Sequence, residues 1–367
     1  MDILKYPTLL WATISEMSSQ KVYDICLIGC GVSGTILLLK LLETISPEKI
    51  CVVDPAFDGG DLMRRWSDIN SNTSWQDFLN ATDKLVIAKP VIDKIRDKYN
   101  PDSVTPVWEL SKSLNAVLKP YLKNMDANTC HAKSANFDSA TGRWKIVLES
   151  PGCFGIKYAK TVLYAPGGNP KQVNLNKPQI PLEIALDSSR LARVLEPGQN
   201  VLLFGLSHSG VLVVRNLLKA GARVSAVYRT HTPFTFASDG AYQGIKQEAA
   251  VFAKELLANP NEYINLIPSH DAESTIRAFT NADCVISAIG FVKKTNTCVF
   301  SVDNNEIIQS KYNTETGALL NAPSAFGFGL AYPSTTTINE KVYEDAGVGS
   351  FVRHAIAITP GIISSST

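Results

Sequence analysis

The sequence predicts an α/β protein in which parallel strands alternate with helices. Two segments carry this prediction, because each places an apolar strand, a glycine-rich turn and an apolar helix in immediate succession. The first segment begins at Val22 and the second at Asn200. The length of 367 residues is enough for two domains, since one domain typically takes about 150 residues.

The composition indicates a folded chain without a strong electrostatic preference. Lys and Arg number 35 against 34 Asp and Glu, and 45% of the residues are hydrophobic. This balance gives no support for a nucleic-acid partner, and neither a polybasic run nor an apolar run of about 18 residues predicts a membrane partner. The seven cysteines form no CxxC pair and are typical of reduced core residues, so we expect a cytoplasmic protein.

The first segment has the pattern of a dinucleotide-binding turn. Residues 22–28 lead into Gly29-Cys30-Gly31-Val32-Ser33-Gly34. In this pattern Gly29 permits the tight turn, Gly31 lets a pyrophosphate approach, and Gly34 allows the helix to pack on the strand. Asp54 follows Gly34 by about 20 residues, the spacing expected for the acid that binds a ribose. We therefore predict a dinucleotide site here.

The second segment repeats the pattern with one change. In Gly205-Leu206-Ser207-His208-Ser209-Gly210 a serine replaces the middle glycine, so a degenerate, empty site remains an alternative. Arg229 and Thr230 follow the next strand, where an NAD-selective site usually has an acid. An arginine suits the 2′-phosphate of NADP instead, with His231 as a weaker candidate. We predict NADP, with NAD as the alternative nucleotide.

The other predicted helices, strands and loops divide the chain into two domains of unequal length. Residues 56–80 read as an irregular polar stretch, and residues 292–367 are too rich in loops to fold alone. The latter are expected to complete the first unit, with a closing helix over 352–358. Further strands are expected at 161–165, 263–267 and 283–288, further helices at 108–125, 242–257 and 272–279, and a hairpin over 129–149. The predicted units are an extension at 1–19, a first domain at 20–190 and 292–367, and an inserted second domain at 191–291.

Two further motifs complete a resemblance to a known superfamily. Ala165-Pro166-Gly167 ends a third strand, and Ala288-Ile289-Gly290-Phe291 ends the second unit. With two dinucleotide loops in one chain, these motifs resemble those of the FAD- and NAD(P)-dependent oxidoreductases, most of all the class B flavin monooxygenases. The resemblance implies two Rossmann-like domains, the NADP domain inserted into a discontinuous FAD domain. It covers most of residues 20–367 in layout, but only short motifs in detail.

The same resemblance implies a catalytic residue. Asp58-Gly59-Gly60-Asp61, followed by Trp66, is similar to the family's GGxW segment, and Ser71-Asn72-Thr73-Ser74 is similar to its SNTS segment. In the family this asparagine faces the flavin, so the resemblance implies that Asn72 stabilises a flavin hydroperoxide. The implied reaction is reduction of FAD by NADPH, then hydroxylation of a small soft nucleophile such as an amine or thioether.

The sequence also departs from the family. The FxGxxxHxxx(Y/F) motif is not recognisable, and the segment 327–333 stands where reductases have a Gly-Asp pair. A flavin reductase or dehydrogenase without oxygen transfer therefore remains an alternative, as does a non-catalytic FAD-binding scaffold or sensor. No histidine spacing predicts a metal, and the oligomeric state stays open.

The predicted site thus has Asn72 as its catalytic residue, a small-molecule substrate, and FAD and NADP as cofactors. The predicted cofactor-binding residues are Gly29, Gly31, Val32, Ser33, Gly34, Asp54, Pro55, Gly60, Ala165, Gly167, Gly205, Ser207, His208, Ser209, Gly210, Arg229, Thr230, Gly290, Gly329, Tyr332 and Val348.

Overall fold

The computed structural model describes residues 21–238, 244–294, 297–308, 311–338, 341–345 and 347–367. The predicted extension at 1–19 and the first two residues of the helix predicted over 242–257 lie outside these ranges.

The described residues form strands and helices in alternation. The strands are β1 (Val22–Ile28), β2 (Ile50–Asp54), β3 (Asn70–Ser74), β4 (Val104–Pro106), β5 (Asp126–Thr129), β6 (Ala132–Asp138), β7 (Arg143–Ser150), β8 (Cys153–Tyr164), β9 (Gly168–Pro170), β10 (Asn200–Phe204), β11 (Arg223–Tyr228), β12 (Ile264–Pro268), β13 (Cys284–Ser287), β14 (Phe291–Lys293), β15 (Val299–Val302), β16 (Asn305–Glu306), β17 (Ala325–Gly327), β18 (Ser334–Ile338) and β19 (Lys341–Asp345). The helices are α1 (Val32–Leu41), α2 (Asp61–Arg64), α3 (Trp75–Thr82), α4 (Lys89–Ile95), α5 (Val107–Leu122), α6 (Leu182–Ala185), α7 (Ser188–Leu191), α8 (His208–Lys219), α9 (Gly244–Ala258), α10 (Ala272–Asn281) and α11 (Val348–Ser366).

The larger sheet has the order β16-β15-β6-β7-β8-β1-β2-β5, and β17 also pairs with β8. Strand β1 lies parallel to both β2 and β8, with Cys26 opposite Cys51 on one side and Val162 on the other. Strands β15 and β17 belong to this sheet although they follow the second unit in the chain. The second unit is therefore inserted into the first, as the sequence predicts.

The smaller sheet has the order β12-β11-β10-β13, and all its pairs are parallel. Its core contains Val211 and Leu217 of α8 together with Ala253 of α9. Leu182 and Ala185 of α6 also pack in this core, although they precede the predicted boundary at 191. In this doubly wound unit the glycine turn at 205–210 lies at the carboxyl end of β10, where ligands of such sheets bind.

Both faces of the larger sheet are buried. On one face the core includes Ile36 and Leu37 of α1, Trp75 of α3 and Val352 of α11. On the other face Trp144, Tyr164 and Phe300 pack together, with ring centroids 5.0–5.5 Å apart. None of the helices in the described part of the chain is long and apolar enough to cross a bilayer.

The prediction of an irregular stretch at 56–80 was wrong in part, because this segment contains α2, β3 and the start of α3. The Ser74 hydroxyl accepts a hydrogen bond from the Asp77 amide (3.1 Å) and caps α3. The closing helix is also longer than the predicted 352–358. Pro360 favours an earlier end, but Ile358 and Ile362 are buried in the core on either side of it.

The expectation of reduced core cysteines holds for five of the seven, which are buried thiols outside any disulfide. It was wrong for Cys130 and Cys153, which form a disulfide with their Cα atoms 6.1 Å apart. The pairing of β6 with β7 and of β7 with β8 brings the start of β6 next to the start of β8. This proximity depends on the sheet and has no counterpart in the local sequence.

The packing of α1 predicts the cost of a core truncation. Leu37 is fully buried, so Leu37→Ala is expected to lower the free energy of unfolding by about 2–5 kcal/mol. Ile276 on α10 is 64% exposed, and Ile276→Ala should change it by less than about 0.5 kcal/mol. Urea unfolding followed by circular dichroism measures both, and equal effects would contradict this assignment of the core.

Candidate functional site

The first glycine turn is shaped by close backbone contacts. Gly29 donates from its amide to the Val53 carbonyl (2.8 Å) and has a φ of +93°. A Cβ at Gly29 would lie 2.3 Å from the Ala165 carbonyl oxygen, and one at Gly34 would lie 2.2 Å from the Gly29 oxygen. The packing of the protein itself therefore requires both glycines.

Gly31 is different, because the protein leaves room beside it. Its backbone is extended, and the nearest atom to a Cβ added there is the Gly60 Cα, 3.8 Å away. Gly31 also caps α1, whose first amides have no partner within the helix and no side-chain cap. Free amides at a helix start beside open space form a site for phosphate groups.

The Asp54 carboxylate holds this turn in shape and also lines the cavity beside it. Its carboxylate accepts hydrogen bonds from the amides of Cys30 (2.7 Å), Ala56 (2.9 Å) and Phe57 (2.9 Å). A carboxylate has about four lone-pair positions, so one remains for a ribose hydroxyl. The sequence predicted the ribose contact but not this role in holding the turn.

The second glycine turn has the same geometry as the first. Gly205 donates to the Val227 carbonyl (2.9 Å) with a φ of +94°. A Cβ there would lie 2.3 Å from the Ala288 oxygen, and one at Gly210 would lie 2.0 Å from the Gly205 oxygen. Ser207 has extended backbone (φ −90°), which a serine adopts without strain. The serine therefore leaves the shape of the turn unchanged.

The side chains around this second turn differ in exposure. Ser207, Arg229 and Thr230 are exposed, the last two directly after β11. His208 is half-buried, with its ring centroid 4.2 Å from that of Phe236. Burial, with a smaller contribution from Lys246, lowers the pKa of His208 from 6.5 to about 4. His208 is therefore neutral at physiological pH.

A cavity of about 550 Å³ extends from the first turn to the second unit. It brings together eleven of the predicted residues, namely Gly29, Gly31, Val32, Ser33, Asp54, Pro55, Gly60, Asn72, Ala165, Gly167 and Ser209. Asn72 is exposed to this cavity from β3. Ser209 belongs to the second turn, so one cavity reaches both glycine turns.

The other predicted residues lie outside the cavity lining. They are Gly34, Gly205, Ser207, His208, Gly210, Arg229, Thr230, Gly290, Gly329, Tyr332 and Val348. Tyr332 is fully buried, with its ring 5.2 Å from that of Tyr312 and 6.0 Å from that of Tyr164. Leu330, next to Gly329, and Phe351, one turn after Val348 on α11, do line the cavity.

Sequence reasoning missed an apolar wall of the cavity. Six side chains from both units form it, namely Trp66, Ile69, Val107, Leu186, Ile245 and Phe291. The rings of Trp66 and Phe291 lie 5.8 Å apart. These residues come from five separate segments of the chain, since only Trp66 and Ile69 are close in sequence, so no local pattern marks them as a group.

An ionic network crosses from the first unit to the second beside this wall. Arg65 pairs with Glu183 (2.8 Å) and, more loosely, with Asp61 (3.8 Å). Lys294, just after β14, also pairs with Asp61 (2.5 Å). The charged groups at this edge therefore neutralise one another. Within the described ranges no group of three His, Cys, Asp or Glu side chains is placed to hold a metal ion.

Comparison with known proteins confirms the predicted fold class. No protein-family model matches the chain. It is 22% identical over 316 residues to the monooxygenase AgnR1 of Paecilomyces divaricatus, an alignment that covers 76% of this chain and 81% of that protein.

Solved structures are similar in fold at low identity. The bacillithiol disulfide reductase of Bacillus cereus has a TM-score of 0.62 and 16% identity, covering 94% of this chain and 99% of its own. The ornithine N-hydroxylase of Kutzneria sp. 744 has a TM-score of 0.57 and 11% identity, covering 95% and 100%. OTEMO has a TM-score of 0.61 and 12% identity, covering 94% and 84%, and has been solved with FAD and NADP. The similar proteins thus include both reductases and monooxygenases, as the motifs predicted.

The contrast between Gly31 and Gly34 is testable. Gly31→Ala should change the stability of the nucleotide-free protein by less than about 1 kcal/mol, because a poorer helix cap is offset by a less flexible unfolded chain. It should nevertheless weaken dinucleotide binding by about tenfold or more, since the methyl group enters the cradle. Gly34→Ala should cost at least about 2 kcal/mol of stability, because its Cβ meets a backbone oxygen. Unfolding and binding titrations check this, and unimpaired binding by Gly31→Ala would rule out the cradle.

The burial of His208 predicts a dependence of stability on pH. Its pKa is about 4 in the folded protein and about 6.5 when unfolded, so below 6.5 the unfolded chain binds more protons. Stability should therefore fall as the pH decreases from about 6.5 towards 4. His208→Asn should flatten this slope, whereas His270→Asn, at an exposed position, should leave it unchanged. Urea midpoints between pH 4 and 7.5 measure both slopes, and the same slope in both variants would refute the assignment.

Proposed function

We propose that this chain is an FAD-dependent oxidoreductase that uses NADPH and transfers oxygen to a small molecule. The observation that carries the proposal is the repetition of one turn geometry at Gly29 and Gly205, with a single cavity reaching both turns. Two dinucleotides that meet in one cavity are what electron transfer between cofactors requires. The turn at Ser207 keeps its shape, which favours an active second site over a scaffold.

The residues of the first turn fit FAD. The open space beside Gly31 and the free amides of α1 suit the pyrophosphate, and the remaining lone pair of Asp54 suits the ribose. When bound, FAD would accept hydride from the nicotinamide and react with oxygen. The chain's own residues would bind and orient both cofactors and exclude water.

The second turn favours NADPH. Arg229 is exposed directly after β11, where it can reach a 2′-phosphate. Neutral His208 adds no charge beside the pyrophosphate, so attraction for the phosphates comes from the start of α8 and from Arg229. NADH remains the alternative nucleotide and should bind more weakly.

The cavity supports a small-molecule substrate with a substantial apolar surface. Its wall of six apolar side chains offers burial to such a molecule, while Asn70 and Asn72 offer hydrogen bonds at the edge. The nearby charges of Asp61, Arg65 and Lys294 are already paired. This arrangement favours an uncharged amine, thioether or ring compound over a strongly charged one.

Oxygen transfer is favoured over reduction of a disulfide. Asn72 is exposed to the cavity, as the resemblance to the monooxygenases implies. Cys130 of the Cys130–Cys153 disulfide lines the same cavity, but at its ribose end, where the Cys130 amide donates to the carbonyl of Asp54 (3.2 Å). A disulfide at that end is badly placed to accept electrons from the flavin ring. A reductase with another acceptor is the second candidate, favoured by the fold of the bacillithiol disulfide reductase.

The proposal predicts how Asn72→Ala behaves. With FAD, NADPH and a substrate, the variant should release a larger share of its reducing equivalents as hydrogen peroxide, because the side chain that orients the oxygen chemistry is lost. Its anaerobic flavin reduction by NADPH should change by less than about threefold. Asn80→Ala, exposed on α3 outside the cavity, is the matched control. Product carrying one atom of labelled O₂ supports oxygen transfer, and NADPH oxidation with no labelled product would favour the reductase.

A further inference from the structure

We propose that helix α9 of the second unit positions Asn72, with Gly244 and Glu248 as positioning residues. This inference rests on the proposed function, because it deepens the role of Asn72 there. Asn72 belongs to the first unit, whereas Gly244 and Glu248 belong to the second. The geometry therefore makes the orientation of this asparagine depend on how the second unit is seated.

The first contact is between backbones. Gly244 has a φ of +57°, and a Cβ added there would lie 2.3 Å from the Ser71 carbonyl oxygen and 2.9 Å from the Asn72 Cα. Helix α9 thus lies directly against the peptide that carries Asn72. Only glycine permits this approach, both for its conformation and for its lack of a side chain.

The second contact is a hydrogen-bonded link one turn further along α9. The side-chain Nδ2 of Asn70 donates to Glu248 Oε1 (3.0 Å), and Arg215 pairs with Glu248 Oε2 (3.1 Å). Arg215 lies on α8, the helix that follows the second glycine turn. Asn70 and Asn72 lie on the same face of β3, since side chains alternate along a strand, and both line the cavity. The hydrogen bond that holds the Asn70 side chain therefore also helps to hold Asn72, two residues further along the strand, in its orientation.

Apart from these contacts with α9, few interactions hold strand β3 in place near residues 70–72. Among the described strands it pairs with the three-residue strand β4 alone, and their register is irregular between Asn70 and Ser74. A two-stranded ribbon is marginally stable on its own. The Ser74 cap of α3 holds one end of β3. At the other end the Val107 amide donates to the Ile69 carbonyl (3.0 Å), and the contacts of α9 with residues 70–72 add to this single backbone hydrogen bond.

The first test measures hydrogen exchange in the full-length protein and needs no cofactor. Glu248→Ala removes the link to Asn70 and should speed exchange of the amides in residues 70–73 about threefold or more, because local opening becomes easier. Glu255→Ala changes the same residue type at an exposed position of the same helix and should leave that exchange unchanged. Glu248→Gln keeps an acceptor for Asn70 and should restore most of the protection. Equal exchange in Glu248→Ala and Glu255→Ala would overturn the proposal.

The second test uses the FAD-loaded protein and separates this inference from the proposed function. Glu248→Ala and Gly244→Ala should raise peroxide release, as Asn72→Ala does, with anaerobic flavin reduction changed by less than about threefold, because a misplacement of about 1 Å is enough to impair positioned chemistry. Combined with Asn72→Ala, Glu248→Ala should add no further peroxide. If Asn72→Ala uncouples and Glu248→Ala does not, the positioning role is wrong. If Asn72→Ala itself has no effect, the proposed role of Asn72 fails, and the exchange measurement still decides whether α9 holds β3.

Discussion

The structure depends on the close approach of backbone segments at its two glycine turns. At Gly29 and at Gly205 the turn packs against the carbonyl that ends a neighbouring strand, leaving no room for a Cβ. This approach sets the direction in which α1 and α8 leave their sheets, and with it the direction of their free amides. The proposed nucleotide cradles, the shared cavity and the position of the second unit all follow from that geometry.

The two turns act together because the second unit is inserted into the first. Strands β15 and β17 return to the larger sheet after the insertion, so the second unit is tethered at both its ends beside the cavity. The network of Asp61, Arg65, Glu183 and Lys294 connects the same two units. The proposed reaction, in which a flavin is reduced and then used, needs both parts of the site aligned, and these contacts hold the two units together.

Local patterns in the sequence predicted the turns, the acid at the end of β2 and nine of the described strands, namely β1, β2, β6, β7, β8 and β10 to β13, because each is encoded within about 20 neighbouring residues. They did not predict the full length of α11, since the effect of Pro360 is overcome by the burial of Ile358 and Ile362. Nor did they predict the Cys130–Cys153 disulfide, the apolar wall or the contact of Gly244 with Asn72. Each of these depends on segments that meet only in the folded protein, so the sequence predicts the two glycine turns more fully than it predicts the lining of the cavity.

The most direct test of the account is an anaerobic titration of the FAD-reconstituted protein with NADPH, followed by visible absorption. The account predicts that the oxidised flavin spectrum bleaches, because both turns hold their nucleotides in one cavity, and that NADH is less effective than NADPH. A flavin that stays oxidised would show that the second turn does not deliver electrons. A protein that takes up no FAD would contradict the central claim.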